Sequence, residues 1–390
     1  MGNRLSCKIT DSKYAPLGDA NTQVYDYDNL YQLIYVDYND GNTTNYYYDA
    51  LGNRILLTNG QNIDYMSNSL NQYVEVNDIN FIYDKNGNLL SSTGAPVYDC
   101  ENRLVGLMTG KNVSYKYNYA GRRVVKSRFN PQPYTITQYT YDGEQIIADY
   151  NAFSGVLVRK YVYGPGIDEP ICMIDVQNGN AMYYYHYDGL GSVVALSNDN
   201  AQIVETYSYE VFGKTTIKDA NGTILLTRAS AFGNPFMFTG REYDSETGLY
   251  YYRARYYRPE IGRFMQVDPL EYRAGLNLYA YVKNNPVNLI DPYGKRCCSE
   301  CQEAFDSQRA RAQRELSSCM ADCGIVMSPG EAICVTVCAF TPFPATCVFG
   351  CGGIGTIGGI ICGSGCMDVY EALMDSSQWA YNRCMRDCDD

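Results

Sequence analysis

Histidine is almost missing from this chain: 390 residues hold one, His186. That scarcity removes most metal and acid–base sites built on imidazole. Positive charge is also short, with 31 Lys and Arg against 43 Asp and Glu, a net charge of -12. A surface without a basic field draws no phosphates in, so composition argues for no nucleic acid partner. The start, Met1-Gly2-Asn3-Arg4-Leu5, lacks the charged segment and apolar run of a secretory leader. It reads instead as the tail of a repeat, like Leu51-Gly52-Asn53-Arg54-Ile55, so the chain is expected to begin inside a repeat. Cysteine is scarce in one region only: Cys7, Cys100 and Cys172 precede residue 295, and 13 of the 16 follow it. Tyrosine is distributed the other way, with 38 of 40 before residue 295. Two physical designs therefore meet near Asp291-Pro292-Tyr293-Gly294.

The first design is repetitive. A Tyr-Asp pair, then polar residues with Gly or Asn, then Leu or Arg-Leu, recurs at Tyr27-Asp28, Tyr48-Asp49, Tyr83-Asp84, Tyr98-Asp99, Tyr141-Asp142 and Tyr187-Asp188. Tyr117-Asn118-Tyr119-Ala120-Gly121-Arg122-Arg123 is a diverged copy. Aromatic and β-branched residues alternate with polar ones, and Asp40-Gly41, Asn59-Gly60, Asn86-Gly87, Asp142-Gly143, Asp188-Gly189 and Asn221-Gly222 interrupt them. Such dipeptides tolerate positive φ and favour two-residue hairpin turns. The pattern predicts a mainly β structure of stacked antiparallel hairpins, each stabilised by its neighbours. Tyrosine suits it, with a ring for the packing and a hydroxyl for water or backbone. His186 falls in a strand-like Tyr run with no nucleophile beside it. Gly189-Leu190-Gly191-Ser192 lacks the strand–loop–helix setting of a phosphate loop.

These copies resemble the YD repeats of rearrangement hotspot (RHS) proteins. The match is most specific over residues 240–294: Gly240-Arg241-Glu242-Tyr243-Asp244, Thr247-Gly248-Leu249-Tyr250-Tyr251-Tyr252-Arg253-Ala254-Arg255-Tyr256-Tyr257, Gly262-Arg263-Phe264, Asp268-Pro269, Gly275-Leu276-Asn277-Leu278-Tyr279-Ala280-Tyr281, Asn284-Asn285-Pro286 and Asp291-Pro292-Tyr293-Gly294. This segment resembles the RHS-associated core domain. The resemblance implies a YD-repeat β-spiral over 1–239, a core plug over 240–294, and a variable C-terminal domain over 295–390 held as cargo, often a toxin with an immunity partner. With few repeats present, an open partial shell is expected.

The resemblance also implies self-cleavage by core carboxylates just past Asp-Pro-x-Gly. The matching residues are Asp268 and Asp291, with Arg263 to tune their charge and the scissile bond near Gly294-Lys295. Two carboxyls held close cannot both ionise easily, so one keeps a proton while the other activates water. Asp-Pro is equally a common turn opening. Lys295 stands where the cleavable form carries Leu, which counts against cleavage.

The second design is a cysteine module. Cys297 pairs in spacing with Cys301, Cys319 with Cys323, Cys334 with Cys338, Cys347 with Cys351, Cys362 with Cys366, and Cys384 with Cys388. All are spaced i, i+4, and Cys298 is left over. On a helix i and i+4 share a face, so a small α-helical domain stapled by disulfides is expected. Zinc sites on thiolates more often show two-residue gaps, which only Cys298 and Cys301 have. Neither metal nor cofactor is called for. Disulfides imply an oxidising compartment, hence a secreted or cell-surface protein. The 23 residues Ala345 to Met367 carry no charge. Two readings stay open for them: a membrane-inserting hairpin, or a buried helical hairpin in a cross-linked domain. The tail shows no enzymatic signature. Two functions follow: delivery of a membrane-active effector, or adhesion to surface carbohydrate or protein through Tyr-rich faces.

Overall fold

The computed structural model describes residues 6–8, 22–38, 40–91, 95–108, 112–130, 133–273, 275–295, 337–338 and 347–348. The chain divides into two compact units, Met1–Arg296 and Cys297–Asp390. The first is built of antiparallel meanders. Eight strands run from Ser6–Lys8 to Ile79–Asn80, and twelve from Pro96–Tyr98 to Thr215–Asp219, each bonded to its sequence neighbour. A four-stranded core sheet follows: Glu242–Asp244, Leu249–Tyr252, Arg255–Arg258 and Arg263–Phe264. Among the described residues no barrel closes and helix is limited to short 3-10 turns.

The Tyr-Asp pair explains the repeat. Asp49 accepts the backbone N–H groups of Leu51 and Asn53 on one carboxylate oxygen and the Asn53 side chain on the other. Its own N–H donates to the Asn53 carbonyl, and Gly52 N–H returns to the Asp49 carbonyl. Gly52 takes a left-handed φ of +73°, as the fourth position of this loop requires. The same plan recurs at Asp84, Asp99, Asp188 and Asp219, and with Asn at 68, 118 and 198. It differs from the two-residue turns that the Asn-Gly and Asp-Gly pairs suggest: the acidic side chain spans five residues, and the glycine sits at its fourth. A β-bulge beside Tyr48, Tyr98, Tyr117 and Tyr187 absorbs the extra residue. Asp40-Gly41, Asn59-Gly60 and Asp142-Gly143 lie outside this plan and turn within short loops, with Asp37 paired to Thr43, Thr58 to Asn62 and Asp142 to Gln145.

The tyrosine closes the unit. Tyr48, Tyr98, Tyr117 and Tyr141 donate to the backbone carbonyls of Leu33, Leu89, Leu104 and Arg123, each in the preceding repeat. One ring therefore packs inward while its hydroxyl fixes the register of the neighbour.

The core sheet is buried on both faces, which accounts for its run of tyrosines. Leu249, Tyr251 and Tyr256 join the cluster of Tyr25, Leu33, Tyr46 and Tyr73 from the first sheet. Tyr250, Tyr252 and Tyr257 join that of Tyr161, Tyr183, Tyr207 and Phe236. Alternate residues of one strand thus serve opposite sides.

In the second unit the described residues are two short strands, Val337–Cys338 and Cys347–Val348, paired antiparallel with Cys338 opposite Cys347. Helices are expected there from the i, i+4 spacing; at these four residues the chain is sheet, as befits a segment rich in Val, Thr and Phe. The register sets Cys338 across from Cys347. The other candidates for disulfides, Cys297, Cys301, Cys319, Cys323, Cys334, Cys351, Cys362, Cys366, Cys384 and Cys388, lie outside the described residues. So do the rest of the helical module and the remainder of the Ala345 to Met367 run. Cys100 and Cys172 are free thiols.

Candidate functional site

The site forms where the core ends. Asp268 opens a turn: its Oδ1 accepts the N–H of Leu270 at 2.9 Å, and its carbonyl accepts that of Glu271. That leaves Oδ2, which lies 2.8 Å from Nη2 of Arg255. The same Nη2 is 3.3 Å from Oδ2 of Asp291. Two carboxylates 23 positions apart therefore meet on one guanidinium, and all three side chains are buried.

Asp291 opens a turn of its own. Gly294 sits at φ +63° with its N–H on the Asp291 carbonyl. Lys295 N–H donates to Asp291 Oδ1 at 3.1 Å. On the other side of that peptide bond, Arg255 Nε donates to the Gly294 carbonyl at 2.5 Å. The Gly294–Lys295 amide is held at both its oxygen and its nitrogen. A side chain at 294 has no room, since a Cβ there would lie 2.1 Å from the Tyr252 carbonyl oxygen.

Burial raises the Asp291 carboxyl to about 7, opposed by Arg255 and reinforced by Asp268. Burial pulls the Arg255 guanidinium below its ordinary range against the same two carboxylates.

Asp268 and Asp291 are the pair that the sequence singles out, and the fold brings them together. Arg263 is placed elsewhere: it donates to the Asn71 carbonyl and to Asn53 Oδ1, 2.5 and 2.6 Å away, and lies over the Tyr73 ring. It docks the core onto repeat turns. The cation that pairs with both carboxylates is Arg255. A signal for it exists in the sequence: Arg253 and Arg255 interrupt a tyrosine run, and a buried guanidinium demands carboxylate partners. His186 bonds Ser197 Oγ at 2.9 Å, and burial lowers its pKa.

A tyrosine-zipped repeat sheet closed by a buried core defines a class of β-shell proteins. The chain matches the family described as teneurin YD-shell over residues 5–287, and it belongs to that family. It is 34% identical over 284 residues to the tRNA3(Ser)-specific nuclease WapA of Bacillus spizizenii, covering 69% of this chain and 12% of that protein. Toxin protein Tse5 of Pseudomonas aeruginosa is 27% identical over 254 residues, covering 54% and 18%. Among solved structures, the crystal structure of TcdB2-TccC3-Cdc42 aligns at a TM-score of 0.55 and 22% identity, covering 70% of this chain and 15% of that one. The Photorhabdus luminescens Tc holotoxin pore aligns at 0.56 and 20%, covering 75% and 16%. These two show the fold. The chain spans about an eighth of the WapA protein's length.

The exclusion of a nucleic acid partner on net charge is not supported. WapA is named a tRNA nuclease, and another relative, from Burkholderia cenocepacia, a double-stranded DNA deaminase toxin. These two names point to nucleic acid for those relatives, so net charge does not support excluding such a partner here. Net charge averages a whole surface, whereas a binding site needs only a local field. Among the described residues no helix is long and apolar enough to cross a membrane.

Proposed function

We propose that this chain is the closing part of an RHS-type toxin shell, acting outside the producing cell, and that its core releases residues 295–390 by cutting Gly294–Lys295. The observation that carries this reading is the double grip on that amide by Arg255 and Asp291, with Asp268 on the same guanidinium. Water attacks the Gly294 carbonyl carbon and Asp268 takes its proton. Arg255 steadies the charge growing on the carbonyl oxygen. Asp291, which keeps its proton up to about pH 7, gives that proton to the Lys295 nitrogen as the C–N bond breaks. The products are a carboxyl at Gly294 and an amine at Lys295. Lys295 does not weaken this account, because the contacts that orient the bond are made by its backbone.

The released module is an effector, and a dedicated immunity protein is its natural partner in the producer. A cysteine-rich, uncharged segment suits a target membrane; the relatives' names admit nucleic acid as an alternative target. Adhesion would fall to exposed tyrosines such as Tyr31, Tyr119 and Tyr272, since the core tyrosines are interior.

Intact mass of the purified full chain tests the cut. Wild type is expected to give two fragments meeting at Gly294–Lys295, and Asp268→Asn a single species. A wild-type chain that stays whole over days refutes self-cleavage. Export of the full chain into the envelope of a susceptible cell, followed by membrane potential and nucleic acid integrity, reads the effector's class.

A further inference from the structure

We propose that Asp168 of the repeat sheet is a positioning residue for the Gly294–Lys295 peptide, acting through Arg253; this rests on the self-cleavage reading above. Asp168 lies in the loop between the strands Val156–Tyr163 and Pro170–Asp175. It is far from the core in sequence, yet its carboxylate holds two core arginines. Oδ1 accepts Arg241 Nη1 at 2.6 Å and Arg253 Nη2 at 2.7 Å, and Oδ2 accepts Arg253 Nη1 at 3.0 Å.

Arg253 passes this hold to the scissile segment. Its Nη1 donates to the Pro292 carbonyl. Its guanidinium carbon sits 5.3 Å from the centre of the Tyr293 ring. Ala254 N–H takes the next carbonyl, that of Tyr293, at 3.2 Å. Pro292 and Tyr293 are therefore clamped one and two residues before the bond. Both ends of the brace are set in backbone that side chains seldom adopt: Asp168 has φ +58° and Arg253 φ +57°. Strain of this kind persists where surrounding contacts over-determine it. The fit is close, since a Cβ on Gly240 would lie 2.3 Å from the Asp168 carbonyl oxygen.

Removing the Asp168 charge leaves Arg241 and Arg253 as two like charges in one buried place. Among the described residues, Arg253 then keeps Glu144, at 3.5 Å and half exposed, as an ion-pair partner. The guanidinium swings toward solvent and Pro292–Tyr293 loses its clamp. A displacement near 1 Å at a reacting bond costs about 100-fold in rate. The consequence is a folding check. The brace exists only once the loop that carries Asp168 has docked on the core, so cutting waits for that docking.

Hydrogen exchange on the uncut full chain, Asp268→Asn, provides a readout independent of cleavage. Adding Asp168→Asn is expected to speed exchange at Gly294 and Lys295 at least tenfold while the strand Val193–Asn198 keeps its protection. In the cleaving chain the same change is expected to slow cutting 10- to 100-fold with the pH of half-maximal rate unmoved. Asp168→Glu should recover part of the rate. Should Asp168→Asn unfold, Arg253→Lys reads the same clamp, because it keeps the charge but cannot span both oxygens and the Pro292 carbonyl. Unchanged exchange at 294–295 in either folded variant overturns the proposal. An uncut wild type overturns self-cleavage instead, and the exchange data still decide whether Asp168 holds the segment.

Discussion

The turn at Asp99 and the turn at Asp291 share a plan and differ in surroundings. In each, an acidic residue accepts the N–H four positions on, at 3.0 and 3.1 Å, and the residue between, Asn102 or Gly294, is left-handed. In each an arginine meets the carboxylate. At Asp99 the arginine is Arg103, partly exposed. Burial pushes the Asp99 carboxyl up, but the bonds from Arg103 and the backbone outweigh it and hold it below its usual range. At Asp291 burial wins, the second carboxylate of Asp268 adds to it, and the group rises to about 7. The core has thus taken the repeat's own turn indoors. On the proposed self-cleavage, a contact that only caps a loop outside becomes, inside, the proton donor to a peptide nitrogen. The Asp-Pro turn and the carboxyl pair are not rival accounts, since Asp268 uses one oxygen for each.

Exchanging each acid for its amide should separate the two turns most. Asp291→Asn should lower the cutting rate at least about 100-fold, because the proton donor is gone; Asp99→Asn should leave it unchanged. Mass spectrometry over a time course separates them. The pH profile sharpens the same point. Cutting should fall above about pH 7 as Asp291 loses its proton. Stability follows the same sign. The folded-state pKa is raised, so the contribution is fully present below the unfolded value near pH 4 and is lost as pH rises to about 7. The loss is on the order of 4 kcal/mol with Asp268 in place, and smaller without its charge. In denaturant titrations of the uncut Asp268→Asn chain this slope should shrink when Asp291→Asn is added.

Next in size is the buried ion cluster that ties sheet to core. Arg123 reaches Glu242 and Asp244, each at 2.6 Å, and Lys126 joins Asp244 at 2.9 Å. Arg123→Ala removes the cation that pairs with buried Glu242 and leaves Asp244 to Lys126, and should cost about 3–5 kcal/mol, read as a shift in the denaturation midpoint. Arg103→Ala, whose pair is partly exposed, should cost under about 1 kcal/mol.

Much of this was legible in the sequence because it is local. A Tyr-Asp pair with glycine or asparagine three residues after the Asp is a complete instruction for one turn, and alternation makes the strands follow. Asp268 and Asp291 stood out for a different reason, the resemblance of residues 240–294 to the RHS-associated core, since an Asp-Pro alone reads as a turn. What sequence could not supply is which long side chain crosses between elements. Arg255 and Arg263 lie eight residues apart on neighbouring strands, yet one meets carboxylates and the other meets Asn53 and Asn71. That choice is made by strand direction and by which face the pleat presents. Asp168, in a repeat loop with no motif of its own, was invisible for the same reason. The turn length was misread because Asn-Gly pairs signal a left-handed glycine but not how many residues the preceding Asp encloses.

The smallest differences test how tightly the indoor turn is packed. Gly121 and Gly294 occupy the same place in their turns, at φ +75° and +63°. A side chain there carries a conformational cost of about 1–2 kcal/mol in both. Around Gly121 a Cβ meets nothing within 4 Å, so Gly121→Ala should cost that and no more. At Gly294 the Cβ meets the Tyr252 carbonyl, which is part of the core ladder and cannot rotate away. Gly294→Ala must then shift the peptide off Arg255 and Asp291, so its mark should be lost cutting more than lost stability. Equal midpoint shifts with cutting intact in both variants would mean that the grip on Gly294–Lys295 is looser than its hydrogen bonds imply.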